Sequence, residues 1–128
     1  MGEAKIIDGE AIADGLRRRI GEEVARLKAR HDLTPGLAVV LVGDNPASRV
    51  YVLNKARRAE EAGMRSHDHH LPADVTEEAL LSLVRGLGDD ARVNGILVQL
   101  PLPPHIRAEA VHDAVDPAKD VDGFHVIN

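Results

Sequence analysis

Apolar residues step along the start of this chain by three and four. From Gly9 to about Arg30 the positions Ala13, Leu16, Ile20, Val24 and Leu27 form one stripe of an amphipathic helix. Thr34-Pro35-Gly36 interrupts the period. The run from Leu37 to Gly43, LAVVLVG, is apolar without alternation, the pattern of a strand covered on both faces. Asp44-Asn45-Pro46 then reads as a cap with a proline in the first helical turn, and the helix is predicted from Pro46 to about Ala62, ending at Gly63. A weaker strand is predicted from Arg65 to Leu71. Thr76 reads as the N-cap of a helix carrying Leu80, Leu81, Val84 and Leu87. GILVQL, Gly95 to Leu100, is a second buried strand. The proline-rich break from Pro101 to Pro104 leads to a short helix near Arg107 to Val115, and DPAKDVDGFHVIN closes the chain.

Helices alternating with wholly apolar strands predict an α/β fold, a mainly parallel sheet flanked by helices in a single three-layer domain. Ligands of such sheets bind beyond the carboxyl ends of the strands. That rule selects the segments after Val42 and after Val98, where the polar chemistry is concentrated.

Composition narrows the classes. With 128 residues, 44% of them hydrophobic and 29% charged, the chain suits one soluble domain with its own core. It has no cysteine, which excludes a disulfide framework, a thiol nucleophile and a cysteine zinc site, and suits a reducing cytosol. The net charge of −5 removes the usual electrostatic basis for binding nucleic acid. The densest basic run, Arg17-Arg18-Arg19, is followed by Glu22 and Glu23 and reads as a solvated helix face. No apolar run approaches the roughly 20 residues that span a bilayer, and MGEAKIIDGE lacks a signal-peptide core. A soluble, cytoplasmic protein is expected, with neither a membrane nor a nucleic-acid partner.

On the helix after the first buried strand, Val52, Ala56, Ala59 and Gly63 share the face predicted to pack on the sheet. Ser48, Tyr51 and Lys55, at i, i+3 and i+7, form a second stripe along its border, so a hydroxyl, a phenol and an amine are predicted to point together toward the cleft. An ordinary surface helix also produces such a stripe. A lysine is a general base only when neutral, a state favoured by burial or nearby positive charge. Tyr51 is the single tyrosine and there is a single phenylalanine, so it is not spare core filler. Gln99 ends an apolar strand: it either frays into solvent or aims its amide into the cleft near Lys55. Asp120 and Asp122, in KDVDG, read either as Asx-turn carboxylates or as acceptors for a planar pair of donors, such as a pterin's ring N–H and exocyclic amine.

Other signals lead nowhere. His67, Asp68, His69 and His70 resemble a metal patch, but a strand sends His67 and His69 to one face and His70 to the other, so a solvated edge strand is expected and no metal site. GDNPAS lacks the spacing of a phosphate loop, and G-x-G-x-x-G does not occur, so no cofactor-binding residues are assigned within this chain.

VGDNPASRVYVLNK (Val42 to Lys55), GILVQLPLP (Gly95 to Pro103) and KDVDGFH (Lys119 to His125), together with the start IIDGEAIA, resemble the hallmark segments of the bifunctional methylenetetrahydrofolate dehydrogenase/methenyltetrahydrofolate cyclohydrolase family, over essentially the whole chain. The resemblance implies that residues 1–118 are the folate-binding catalytic domain. Residues 119–128 are then the start of a linker to an absent Rossmann-type domain that binds NADP or NAD. It implies oxidation of 5,10-methylenetetrahydrofolate to the 5,10-methenyl form, then hydrolysis to 10-formyltetrahydrofolate. It further implies a role in purine biosynthesis and a homodimer for the full-length protein. Residue by residue, Lys55 matches the catalytic lysine, Tyr51 the tyrosine that packs on the folate rings, and Gln99 the glutamine that tunes the lysine. Asp122 matches the carboxylate on the pterin edge, and Ser48 a serine of the same cleft. Without the second domain the fragment is expected to lack dehydrogenase activity and to keep at most weak cyclohydrolase activity. The competing readings are a folate-binding module without turnover and an unrelated α/β domain.

Overall fold

A computed structural model describes residues 8–128; residues 1–7, with Ile6 and Ile7 of IIDGEAIA, lie outside the described residues. Helix α1, Gly9–His31, starts where the Asp8 side chain accepts the N–H of Ala11 and stops at Asp32, whose backbone is left-handed with φ 50°. Strand β1, Gly36–Val42, follows. Helix α2, Pro46–Glu61, is capped by Asn45, which accepts from the N–H groups of Ala47 and Ser48. It ends at Gly63, whose φ of +90° most side chains avoid. Strand β2, Arg65–Leu71, leads to helix α3, Glu77–Asp89, capped by Thr76 on the N–H of Ala79. Strand β3, Gly95–Val98, and helix α4, Ala108–Ala114, complete the order.

The strands form one sheet in the order β2-β1-β3, with both pairings parallel. A parallel neighbour has to be reached by a crossover, and the helices supply these on both faces. Alternation along β1 decides which residue faces which layer. Ala38, Val40 and Val42 join Leu80, Val84, Leu87, Ile96, Val98 and Val111 in one buried cluster with α3 and α4. Val39, Leu41 and Leu97 face the other way, onto Val52 of α2. The three-layer α/β architecture expected from the sequence is therefore the observed one. Burying a Val or Leu side chain contributes about 1.5–3 kcal/mol, so the α3–α4 side holds most of the hydrophobic stabilisation.

Two elements differ from expectation. β3 ends at Val98, not Leu100: the N–H of Gln99 still reaches the Val40 carbonyl at 2.9 Å, but Pro101 has no N–H to donate and restricts the residue before it. The edge strand β2 is less solvated than expected. His67 and His69 are half-buried on the α3 side, the Nε2 of His67 is buried without a partner among the described residues, and His70 bonds the Gly43 carbonyl at 2.8 Å. The cause is register: His67 lies beside Ala38 and so inherits its covered face.

Among the described residues no helix is long and apolar enough to cross a membrane. No group of three His, Cys, Asp or Glu among them could hold a metal ion.

Candidate active site

The order β2-β1-β3 puts a break in the winding between β1 and β3. The chain leaves β1 for β2 on one side and returns to β3 on the other, and at such a break the carboxyl ends of neighbouring strands open a crevice. α2 descends from the end of β1, and Gln99 leaves the end of β3.

Lys55, half-buried on the third turn of α2, donates from Nζ to Gln99 Oε1 at 2.9 Å. The Gln99 amide donates in turn from Nε2 to the Leu100 carbonyl at 3.0 Å. That second bond leaves the amide oxygen facing the amine. The packing beneath comes from the predicted face: Val52, Ala56 and Ala59 are buried against the sheet.

The stripe Ser48–Tyr51–Lys55 does not stay together. Tyr51 is 55% exposed, one turn before Lys55, while Ser48 is only 3% exposed. A serine is small enough to follow Val52 into the packed side, and its N–H is held by the Asn45 cap at 3.2 Å. The expected hydroxyl on the open border is therefore buried, and the phenol and the amine remain on the accessible flank.

Lys55 and Asp122 line one open hollow of about 450 Å³, floored by Leu37 and Leu97 and walled by Val121. The two aspartates of KDVDG have separate fates. Asp120 turns its carboxylate inward, accepting the N–H of Gly123 at 3.1 Å and that of His125 at 2.8 Å. Partial burial acts to raise its pKa, but the N–H of His125, the Asn128 amide and the N–H groups of Phe124 and Gly123 outweigh it and hold the carboxyl below its ordinary 3.8. Asp122, two residues on, is exposed at the hollow. Lys55 is thus the shared member: it bonds Gln99 and lines the hollow that Asp122 also lines, with Tyr51 on the preceding turn.

The sequence reading missed Asn54 and Arg58, which also line the hollow. Their spacing was the available signal: four apart and flanking Lys55, they lie on the same side of the helix.

Known proteins match along the whole of this architecture. The sequence model of tetrahydrofolate dehydrogenase/cyclohydrolase, catalytic domain, matches residues 7–122. The bifunctional protein FolD of Paramagnetospirillum magneticum is 57% identical over 100% of this chain, which corresponds to 43% of that relative. Among solved structures, the bifunctional methylenetetrahydrofolate dehydrogenase/cyclohydrolase FolD of Campylobacter jejuni superposes with a TM-score of 0.91 at 44% identity, over 94% of this chain and 42% of that one. The Trypanosoma brucei methylenetetrahydrofolate dehydrogenase-cyclohydrolase, solved with NADP and an inhibitor, gives 0.89 at 41% identity, over 95% and 41%. The chain spans less than half the length of the relatives it matches. On a match of this extent, the chain belongs to the tetrahydrofolate dehydrogenase/cyclohydrolase family, through that family's catalytic domain.

Proposed function

We propose that this chain supplies the folate-binding and catalytic face of an enzyme of one-carbon metabolism. That enzyme oxidises 5,10-methylenetetrahydrofolate to 5,10-methenyltetrahydrofolate with NADP and hydrolyses the product to 10-formyltetrahydrofolate. The observation that carries the reading is the 2.9 Å bond from Lys55 to Gln99 at the open end of β3, with Asp122 on the same hollow as the lysine.

In the hydrolytic step, water adds to the bridging carbon, the bond from that carbon to one nitrogen breaks, one proton ends on the freed nitrogen and one leaves to solvent. Lys55 is the carrier for the departing proton. A lysine carries that proton as a base only in its neutral amine form. Gln99 holds the amine in place without adding charge. Tyr51 offers a flat, exposed ring for the substrate's aromatic system. Asp122 accepts the paired donors of the pterin edge. Ser48, buried, acts at most through the floor of the cleft.

NADP supplies hydride acceptance when bound, but the residues of this chain do not fit it. The connection from β1 to α2 carries Asp44 where a pyrophosphate would need bare backbone, and the N–H groups of Ala47 and Ser48 are taken by Asn45. In this proposal a second, dinucleotide-binding domain holds it, with residues 1–118 as the catalytic domain and 119–128 leading to the linker. The same proposal places the full-length protein in the cytoplasm as a homodimer that supplies formyl groups for purine biosynthesis.

Lys55→Met tests the central claim. Methenyltetrahydrofolate hydrolysis, followed by its absorbance, should fall by about 10²–10⁴-fold while binding of a tetrahydrofolate derivative persists. Hydrolysis at the unmodified rate would overturn the proposal.

A further inference from the structure

We propose that Asp120 is a positioning residue for Asp122: by gathering the turn 120–125 around its own carboxylate, it fixes where the pterin-binding carboxylate stands. The proposal rests on the reading of Asp122 given above and adds a residue that itself faces away from the hollow.

The turn is anchored at one end and closed at the other. At its start, the Lys119 carbonyl accepts the N–H of Ile96 at 2.7 Å, and Asp120 pairs with Ile96 alongside β3. The Lys119 ammonium donates to the Gly88 and Asp90 carbonyls at 2.8 and 3.1 Å, tying the same point to the end of α3. At the far side, Asp120 Oδ1 accepts from the N–H of Gly123, and Oδ2 accepts from the N–H of His125 and from the Asn128 amide at 3.3 Å. Asp122 stands between these points, next to Gly123 with φ +70°. A residue held on both sides has little backbone freedom left to lose when a ligand arrives.

A second feature acts in the same direction. Val121 lies against Gly95 so closely that a Cβ on Gly95 would meet Val121 Cγ1 at 2.7 Å. The Val121 side chain thus occupies the space that a side chain at position 95 would need. Two parallel hydrogen bonds to a planar donor pair demand orientation as well as distance. A carboxylate carried on a loosened turn loses both bonds together.

The test uses four variants: Asp120→Asn, Asp122→Asn, the double variant and Gly95→Ala. Asparagine at 120 keeps the shape but offers one acceptor oxygen in place of two. Two probes are titrated, 5-formyltetrahydrofolate, which carries the pterin, and p-aminobenzoylglutamate, which does not. Asp120→Asn and Gly95→Ala should each weaken the pterin-bearing probe on the order of tenfold, as expected for a lost charge-assisted bond, and leave the fragment's binding unchanged. The double variant should bind no worse than Asp122→Asn alone, because Asp120 acts through Asp122. General unfolding would weaken both probes alike, and Gly95→Ala, with Asp120 intact, presses on Val121 and so disturbs the same turn by a different contact. Additive losses in the double variant, or normal binding by Asp120→Asn where Asp122→Asn is weak, would overturn the proposal while leaving the role of Asp122 standing. Normal binding by Asp122→Asn would remove that role and the proposal with it.

Discussion

The two faces of the sheet are built differently. On the α3–α4 side, Leu80, Val84, Val93, Ile96 and Val111 are almost completely buried, and a broad cluster fills the space between helices and strands. On the α2 side the buried cluster is small, an open hollow lies beside it, and lysine, glutamine and aspartate occupy the border. α1 joins this looser side. Val24 packs on Gly63, yet Ile12 and Leu16 are 61% and 50% exposed. The division separates two demands. Close packing leaves no room for a ligand, and a ligand site needs polar groups that a core excludes. One face of a three-stranded sheet carries the stability, which leaves the other face free to carry the chemistry.

Substitutions that separate stability from turnover sharpen this contrast or break it. The largest effect is expected at Leu80. Leu80→Ala should lower unfolding free energy by about 2–5 kcal/mol in denaturant titration, with the folate affinity of the still-folded protein unchanged. A loss below about 1 kcal/mol would mean that the α3–α4 side is not the principal core.

Gln99→Leu comes next and acts in the opposite sense. Removing its two hydrogen bonds, to Lys55 and to the Leu100 carbonyl, should change stability by only about 1–2 kcal/mol but lower hydrolysis on the order of tenfold. Equal changes in both would erase the distinction between the faces.

The smallest effect concerns Asp90, at the end of α3. The side chain and backbone N–H of Arg92 hold its carboxyl at about 2, below the ordinary 3.8. Because the folded value is the lower one, the ionised carboxylate stabilises the fold above roughly pH 4, and this contribution disappears as the pH falls toward 2. Solvent screens an exposed pair, so the gain is modest. Asp90→Asn should flatten the decline of Tm between pH 4 and 2. An unchanged acid slope would assign that decline to other carboxylates, Asp120 among them.

What the sequence determined by itself was local. Asn45 before Pro46, Thr76 before Glu77 and Gly63 after Ala62 mark helix ends through bonds and torsions that span a few residues, and the observed elements begin and end close to them. The unbroken apolar run of β1 announced a strand covered on both faces. The resemblance added the likeness of three distant segments, and with it the expectation that Lys55 and Gln99 belong to one site. Only the tertiary structure decided matters that depend on neighbours far along the chain. It set the order β2-β1-β3, the half-burial of His67 beside Ala38 and the withdrawal of Ser48 into the packed side. It also separated Asp120 from Asp122, which look alike in KDVDG. One carboxylate is consumed by N–H groups that its own turn brings around it. The other is left at the hollow because β3 and α3 hold that turn in place. Periodicity and caps act within a few residues, whereas burial and pairing are properties of the packed whole.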